Sequence, residues 1–552
     1  MPRIVIVGGV AGGMSAAARA RRLDESAEII VLERGPHVSF ANCGLPYFVG
    51  GEIEDPAKLL VQTPETLRAA LALDVRPGHD VIAVDTAAKN VTVQTANGLE
   101  VIDYDALVLA PGAAAVIPEI PGVTSARVRT LRTVDDALAL RDSVTGGARR
   151  AVVLGAGFIG VEAAEALAAS GLEVSIVQSS AHPLSPFEPE LAWLVSQELR
   201  AIGIDVHAGT AATAIEEGAG HDTVVLSDGS CLPADMIVLS VGVRPDTATF
   251  ERAGIACERG AIVVDNHGRT SVPGVWAVGD ATLGVDPITG ARHPVALAGP
   301  ANRAGRLVAD DILRPATARA IPPALGTAIV RVGSLTAALT GANRAVLHAH
   351  GIAHTTLHLH ANQHAGYFPG ASPIHVVLHI DPDTGLLLGA QAVGTEGVDK
   401  RIDVLATAIR AGMAVDELID LDLAYSPPYG QAKDAVNLTG MVGENVLNGT
   451  LSLWYAEDLD EVLATSLVLD VRRDDEWATG HVPGALHIPH TELRERIDEV
   501  RERAAGRPVR VMCASGVRSA IAHRVVTQAG LDSASLSGGI LTLRASLGSC
   551  AR

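Results

Sequence analysis

Two strand–glycine-turn–helix units limit the fold of this chain more than any other feature. The first runs Arg3-Ile-Val-Ile-Val-Gly-Gly-Val-Ala-Gly-Gly13, and the second Ala151-Val-Val-Leu-Gly-Ala-Gly-Phe-Ile-Gly160. Each passes from an apolar, β-rich run through glycines into a segment of helical period. Two such units imply two nucleotide-binding domains in one chain.

The 552 residues allow roughly three or four domains, and 48% hydrophobic content supports large cores. A net charge of −20 argues against general affinity for nucleic acid or anionic membrane, so an anionic ligand needs local basic residues. Aromatics at 3% argue against nucleobase stacking. Five scattered cysteines do not form a disulfide framework and point to a reducing compartment. The N-terminal apolar run reads as a buried strand and not a secretion signal, and no apolar run of spanning length is free of Gly, Pro and charge. A soluble, cytoplasmic protein is expected.

Gly155, Gly157 and Gly160 complete a G-x-G-x-x-G turn, where glycines let backbone N–H groups approach a pyrophosphate at a helix N-terminus. The next strand ends at Gln178-Ser-Ser180, neither acidic nor basic, which leaves NADH or NADPH open. The first turn has Val10 at the middle glycine position. Glu33 nevertheless closes the next strand twenty residues after Gly13, as a ribose acceptor should. Asp280, after the apolar strand ending Trp276-Ala-Val-Gly, could bond a ribityl chain. Two dinucleotide sites in one chain suggest FAD plus a nicotinamide. Cys43 stands alone in Ser39-Phe-Ala-Asn-Cys-Gly-Leu-Pro-Tyr47, and the next cysteine is Cys231. A lone thiol beside a flavin must take its oxidising partner from outside: a small thiol, a sulfane sulfur, or oxygen as sulfenic acid.

With these motifs, and with Ala298-Gly-Pro-Ala-Asn-Arg303, Gly366-Tyr-Phe-Pro-Gly370 and Tyr425-Ser-Pro-Pro-Tyr429, residues 1–450 resemble the pyridine nucleotide–disulfide oxidoreductases. Within them the resemblance is to the coenzyme A-disulfide and persulfide/polysulfide reductases. It implies two Rossmann-like domains, FAD-binding over 1–115 and 245–325 and NAD(P)H-binding over 116–244, followed by an α+β dimerisation domain over 326–450. It places FAD against Gly8, Ala11, Gly12, Gly13, Glu33, Arg34 and Asp280, and makes Cys43 the redox nucleophile. Tyr367 and Tyr425 would serve the partner subunit's active site in a homodimer. Ser15, Arg19, Arg22, Ser39 and Asn42 match positions that contact coenzyme A. Ser15, Arg19 and Arg22 also share a helix face at i, i+4, i+7, where arginine forks suit phosphate.

The C-terminal part carries Cys513-Ala-Ser-Gly-Val-Arg518-Ser519 between a strand and a helix, with Asp470-Val-Arg472 and Gly480-His-Val-Pro-Gly-Ala485 upstream. Loop amides and a helix N-terminus favour a thiolate or persulfide at Cys513, and Arg518 adds positive charge. This part resembles a rhodanese, an α/β domain assigned to 460–552. His348, His350, His354, His358, His360 and His364 look like a metal tract, yet no Cys or paired carboxylate completes a site; they are taken as structural, and no metal is expected. Cys550 is taken as a tail residue.

The leading expectation is a flavoenzyme that reduces a small-molecule sulfur–sulfur bond, with the rhodanese part indicating a coenzyme A persulfide or polysulfide. A peroxidase or oxidase working through sulfenic acid is the alternative, but related peroxidases carry a histidine where this chain has Ala11. A sulfur carrier or redox sensor without turnover, and a plain thiosulfate:cyanide sulfurtransferase, complete the set.

Overall fold

A computed structural model describes residues 1–548. It forms two compact units: Met1–Ser179 with Gly203–Gly326, and Ser180–Ile202 with the chain from Thr327 onward. Cys550 lies outside the described residues.

The first unit contains two five-stranded parallel sheets that share the order of four strands and differ in where the fifth edge strand comes in the chain. In one, Arg3–Val7 lies between Glu28–Glu33 and Ala106–Leu109, with Asp74–Pro77 and Val275–Ala277 at the edges. In the other, Arg150–Leu154 lies between Glu173–Gln178 and Met236–Leu239, with Ile204–Ala208 and Val128–Arg129 outside. Strands such as Ala-Leu-Val-Leu109 are buried along their whole length, as a parallel sheet covered on both faces requires. Each glycine motif therefore links a central strand to a helix, Ala11–Leu23 or Phe158–Ala169. Helix Ala11–Leu23 packs so closely on Ala298–Leu313 that a Cβ at Gly305 would lie 2.1 Å from the Gly12 carbonyl oxygen. That contact draws the motif beginning at Ala298 onto the first dinucleotide helix.

In the second unit, five antiparallel strands run in the order Ala328–Val332, Leu335–Gly341, Leu387–Gly394, Pro373–Ile380, Thr355–Asn362. Helix Pro189–Ala201, from the segment following the second dinucleotide strand, belongs to this unit. A parallel sheet follows: Leu453–Trp454, Ser533–Leu536, Val509–Met512, Leu467–Asp470, Leu486–His487. Its central strand Val509–Met512 leads straight into Cys513.

Histidines on the edge strand Thr355–Asn362 join the two sheets. His358 and His360 share a face because side chains alternate along a strand. His358 bonds Ser537 Oγ through Nδ1 at 2.8 Å and Glu190 through Nε2 at 2.7 Å. His360 bonds Thr542 Oγ1 at 2.8 Å and His375 at 2.6 Å. His379 bonds Glu188 at 2.9 Å. Carboxylates thus do approach the histidines, from a segment the sequence places far away, but each acts as a hydrogen-bond acceptor. Among the described residues no group of three or more His, Cys, Asp or Glu is arranged to hold a metal ion.

Candidate active sites

Both glycine turns are shaped by backbone approach. Gly8 has φ +101°, and a Cβ at Gly13 would sit 1.9 Å from the Gly8 carbonyl oxygen. Gly155, at φ +99°, stands in the same relation to Gly160, again at 1.9 Å. Only glycine serves at these positions. A Cβ at Gly157 would instead enter open space. No side chain caps either helix at Val10 or Gly157, so the leading amides suit a pyrophosphate.

The residue ending the second strand secures each turn. Glu33 accepts from Gly9 N–H at 2.8 Å with one oxygen and from Gly35 N–H at 2.9 Å with the other. Gln178 accepts from Ala156 N–H at 2.7 Å. A cavity of about 170 Å³ opens beside the first turn, lined by Gly8, Glu33, Arg34, His79 and Asp246. Arg34 pairs with Asp246 at 2.6 Å along its wall. These features fit the adenosine and pyrophosphate portions of a dinucleotide.

Cys43 lies in the short 3-10 turn Asn42–Gly44, and both Asn42 and Cys43 are exposed. Protein packed beneath the sulfur pushes the thiol above its usual range, and the charges of Glu162 and Asp280 push it the same way. Asp280 is itself raised by burial, against the opposing pull of Arg132 at 3.7 Å. Glu162 accepts from the Tyr47 hydroxyl at 3.2 Å. Ser39 holds a left-handed φ of +48°, fixed because its N–H donates to Gly9 O and its carbonyl accepts from Val61 N–H.

The proposed coenzyme A residues on the first helix differ in their freedom. Ser15 donates to Asn302 Oδ1 at 2.6 Å, and Arg19 pairs with Asp310 at 2.6 Å. Arg22 is exposed. Arg19 is therefore a strut between two helices, whereas Arg22 projects to solvent. In the second unit, the Tyr367 and Tyr425 hydroxyls lie 3.2 Å apart, with the side chains 76% and 48% exposed. That hydrogen bond pushes the Tyr367 phenol up.

Cys513 is fully buried at the start of a loop that ends at Gly516, whose φ of +97° turns the chain into helix Val517–Gln528. The Gly516 N–H donates to the sulfur at 3.2 Å. Arg518 is less free than the sequence suggested. Its two terminal nitrogens grip Glu476 at 2.6 and 2.7 Å, holding that carboxyl down at about 2. Sequence reasoning missed Glu476 and Glu162, and it quoted Asn302 within the motif Ala298–Arg303 without giving it a role. It also gave no role to Ser519, although Ser519 ends the quoted loop motif.

All four described cysteines, Cys43, Cys231, Cys257 and Cys513, are free. No described helix is long and apolar enough to cross a membrane.

The chain belongs to the pyridine nucleotide-disulphide oxidoreductase family, which it matches over residues 2–302, with the family's dimerisation domain over 327–436 and a rhodanese-like domain over 454–545. It is an oxidoreductase of two dinucleotide-binding folds joined to a dimerisation domain and a rhodanese-like domain. Among its relatives, a coenzyme A disulfide reductase of Staphylococcus haemolyticus is 32% identical over 445 residues, 80% of this chain and 99% of that one. The structure of reduced Bacillus anthracis CoADR-RHD aligns with a TM-score of 0.97 at 38% identity, covering 99% and 98% of the two chains. An NAD-dependent persulfide reductase from A. fulgidus aligns at 0.91 and 34% identity, covering 98% and 99%.

Proposed function

We propose that this chain is an FAD-dependent NAD(P)H oxidoreductase that reduces the sulfur–sulfur bond of coenzyme A persulfide, polysulfide or coenzyme A disulfide through Cys43. Cys513 of the rhodanese-like domain transfers sulfur to or from that thiol. The protein works as a homodimer in the cytoplasm, with the domain boundaries given from the sequence. The observation that carries this reading is the exposed Cys43, without a cysteine partner among the described residues, in a chain that also holds a rhodanese-type cysteine. Likeness to a persulfide reductase and to CoADR-RHD over nearly the whole chain supports it.

Gly8, Ala11, Gly12, Gly13, Glu33, Arg34 and Asp280 would hold FAD, and Gly155, Gly157 and Gly160 the nicotinamide dinucleotide. Bound together, these cofactors supply the two electrons that sulfur reduction needs. The chain's own part begins with Cys43 as thiolate. It attacks one sulfur of R–S–S–R′, forming Cys43–S–S–R and releasing R′S⁻, which takes a proton. Glu162 and Asp280 disfavour a lasting thiolate at Cys43. Arg22, Ser39 and Asn42 orient a coenzyme A-type substrate, its phosphates drawn to arginine despite the acidic chain. Tyr367 and Tyr425 supply hydroxyls to the partner subunit's Cys43 and protonate the departing thiolate.

Steady-state NAD(P)H oxidation with coenzyme A disulfide, coenzyme A persulfide, polysulfide and peroxide tests the reading. Turnover with the sulfur acceptors and its loss in Cys43→Ser support it, while Cys513→Ser keeps reduction of coenzyme A disulfide. Turnover of peroxide alone would refute it.

A further inference from the structure

Arg401 sits where a cation is out of place. It lies in the first turn of helix Val398–Ala411, is 1% exposed, and turns its Nη1 back to donate to the Gly397 carbonyl at 3.2 Å. A helix N-terminus carries partial positive charge, which disfavours a guanidinium there. Asp434 offsets this, accepting from Nε at 3.1 Å and from Nη2 at 2.7 Å. Buried ion pairs add little stability over well-packed apolar side chains of similar volume. What distinguishes this pair is what else it holds.

Its contacts join the bases of the two loops that carry Tyr367 and Tyr425. The first loop follows strand Thr355–Asn362, and there Arg401 Nη2 donates to the Gln363 carbonyl at 2.6 Å. The buried Gln363 side chain closes the neck of that loop: Nε2 donates to the Gly370 carbonyl at 3.0 Å, and Oε1 accepts from Ser372 N–H at 2.6 Å. The second loop ends at Asp434, whose carboxylate also caps helix Ala435–Leu447 by accepting from Val436 N–H at 3.1 Å. One arginine nitrogen therefore touches both loop bases. Beside it, Ala365 N–H donates to the Gly430 carbonyl at 2.9 Å, and Gln431 Nε2 donates to the Asn362 carbonyl at 2.6 Å. At the tips the two tyrosine hydroxyls meet in water. A hydrogen bond there adds only about 1 kcal/mol, so it persists because the loops beneath it are held.

We propose that Arg401 is a positioning residue which, helped by Gln431, fixes the two loops as one piece and so delivers the Tyr367 and Tyr425 hydroxyls as a hydrogen-bonded pair. This rests on reading both tyrosines as serving the partner subunit's Cys43. Whichever hydroxyl donates within the pair, the other keeps its proton for the departing thiolate. RS⁻ takes that proton as RSH, and the tyrosine that gave it becomes a phenolate until solvent returns the proton. The paired hydroxyl donates to the phenolate and stabilises its charge. A lone tyrosine on an unfixed loop lacks that donor.

Arg401→Lys in the full-length protein is the main probe. Lysine keeps the charge opposite Asp434 but, being shorter and without the fork, loses the Gln363 carbonyl. With coenzyme A disulfide and NAD(P)H its kcat should fall about tenfold with KM unchanged. The same substitution made in Tyr367→Phe should cost far less, because the pair is already gone. A purely structural role would lower both backgrounds alike. Tyr425 raises the Tyr367 phenol, so in protein carrying 3-fluorotyrosine the Tyr367 titration midpoint, read by fluorine NMR, should fall in Arg401→Lys toward its value in Tyr425→Phe. A parent-like kcat in Arg401→Lys, or a loss undiminished in Tyr367→Phe, overturns the proposal. Gln431→Ala should act in the same direction by less. If Arg401→Lys does not fold, Gln431→Ala decides, and a parent-like kcat there overturns it equally. If Tyr367→Phe itself turns over like the parent, the reading of the tyrosines fails, and the Tyr367 midpoint alone judges Arg401, an overlay with the parent overturning its role.

Discussion

Arg344 is the residue whose replacement most sharply tests how the second unit is held together. Its guanidinium meets three carboxylates: Glu188 at 3.1 Å, Glu190 at 2.7 Å and Glu457 at 3.1 Å. Glu188 and Glu190 are buried and already hold His379 and His358. Arg344→Met keeps much of the aliphatic stem and removes the charge, leaving two buried carboxylates without their cation. Breaking a buried pair costs about 3–5 kcal/mol, and the exposed Glu457 adds at most about 0.5 kcal/mol. Glu188 keeps the Arg344 backbone N–H at 2.7 Å, so the lower end, about 3 kcal/mol, is expected. Expressed as local opening, that is roughly a hundredfold. Amide hydrogen exchange in strand Thr355–Asn362 and helix Pro189–Ala201 should quicken by that factor at neutral pH. The sign with pH follows from Glu188, held at about 2 when folded. A depressed carboxyl contributes stability above its usual value near 4.5 and loses it as pH falls through about 2. Without Arg344 the carboxylates protonate sooner, so the difference from the parent shrinks below about pH 4.5. Exchange within threefold of the parent at neutral pH, or a difference that grows on acidification, would refute the reasoning.

Three further outcomes follow from other residues. Gly13→Ala drives a Cβ against the Gly8 carbonyl oxygen, so the purified protein should lose most of its FAD, measured as flavin absorbance per chain. Glu162→Gln removes one of the charges that raise the Cys43 thiol, so alkylation of Cys43 at neutral pH should speed up and its pH midpoint should fall. His375 stays neutral in the fold down to about 4, while the unfolded imidazole takes its proton near 6.5. Stability should therefore fall as pH drops from 6.5 to about 4, and melting temperatures of His375→Asn should depend less on pH across that window.

The parallel layers were legible because the apolar strands and glycine turns are local signals, each contained within about fifteen residues. The Cys43 segment and the Cys513 loop are local motifs of the same kind. What the sequence hid was long-range pairing. Glu190 lies 168 residues from His358, and Ser537 lies 179 from it, so the histidine run read as partnerless until the sheets were assembled. The transfer of segment Ser180–Ile202 to the second unit had no local mark, since its helix has ordinary amphipathic spacing. Arg19 and Arg22 looked alike on one helix face, and only the position of Asp310 on a helix nearly 300 residues away separates them. Glu476 was hidden likewise, in a short helix 42 residues before its partner Arg518.

The claim that everything rests on is that substrate sulfur becomes covalently attached to Cys43. Treating protein whose Cys43 is a free thiol with coenzyme A persulfide in the absence of NAD(P)H and mapping its peptides by mass tests this directly. The account predicts a sulfur or coenzyme A adduct on the Cys43 peptide that NAD(P)H then removes. An unmodified Cys43 in protein that still oxidises NAD(P)H with that substrate would contradict it.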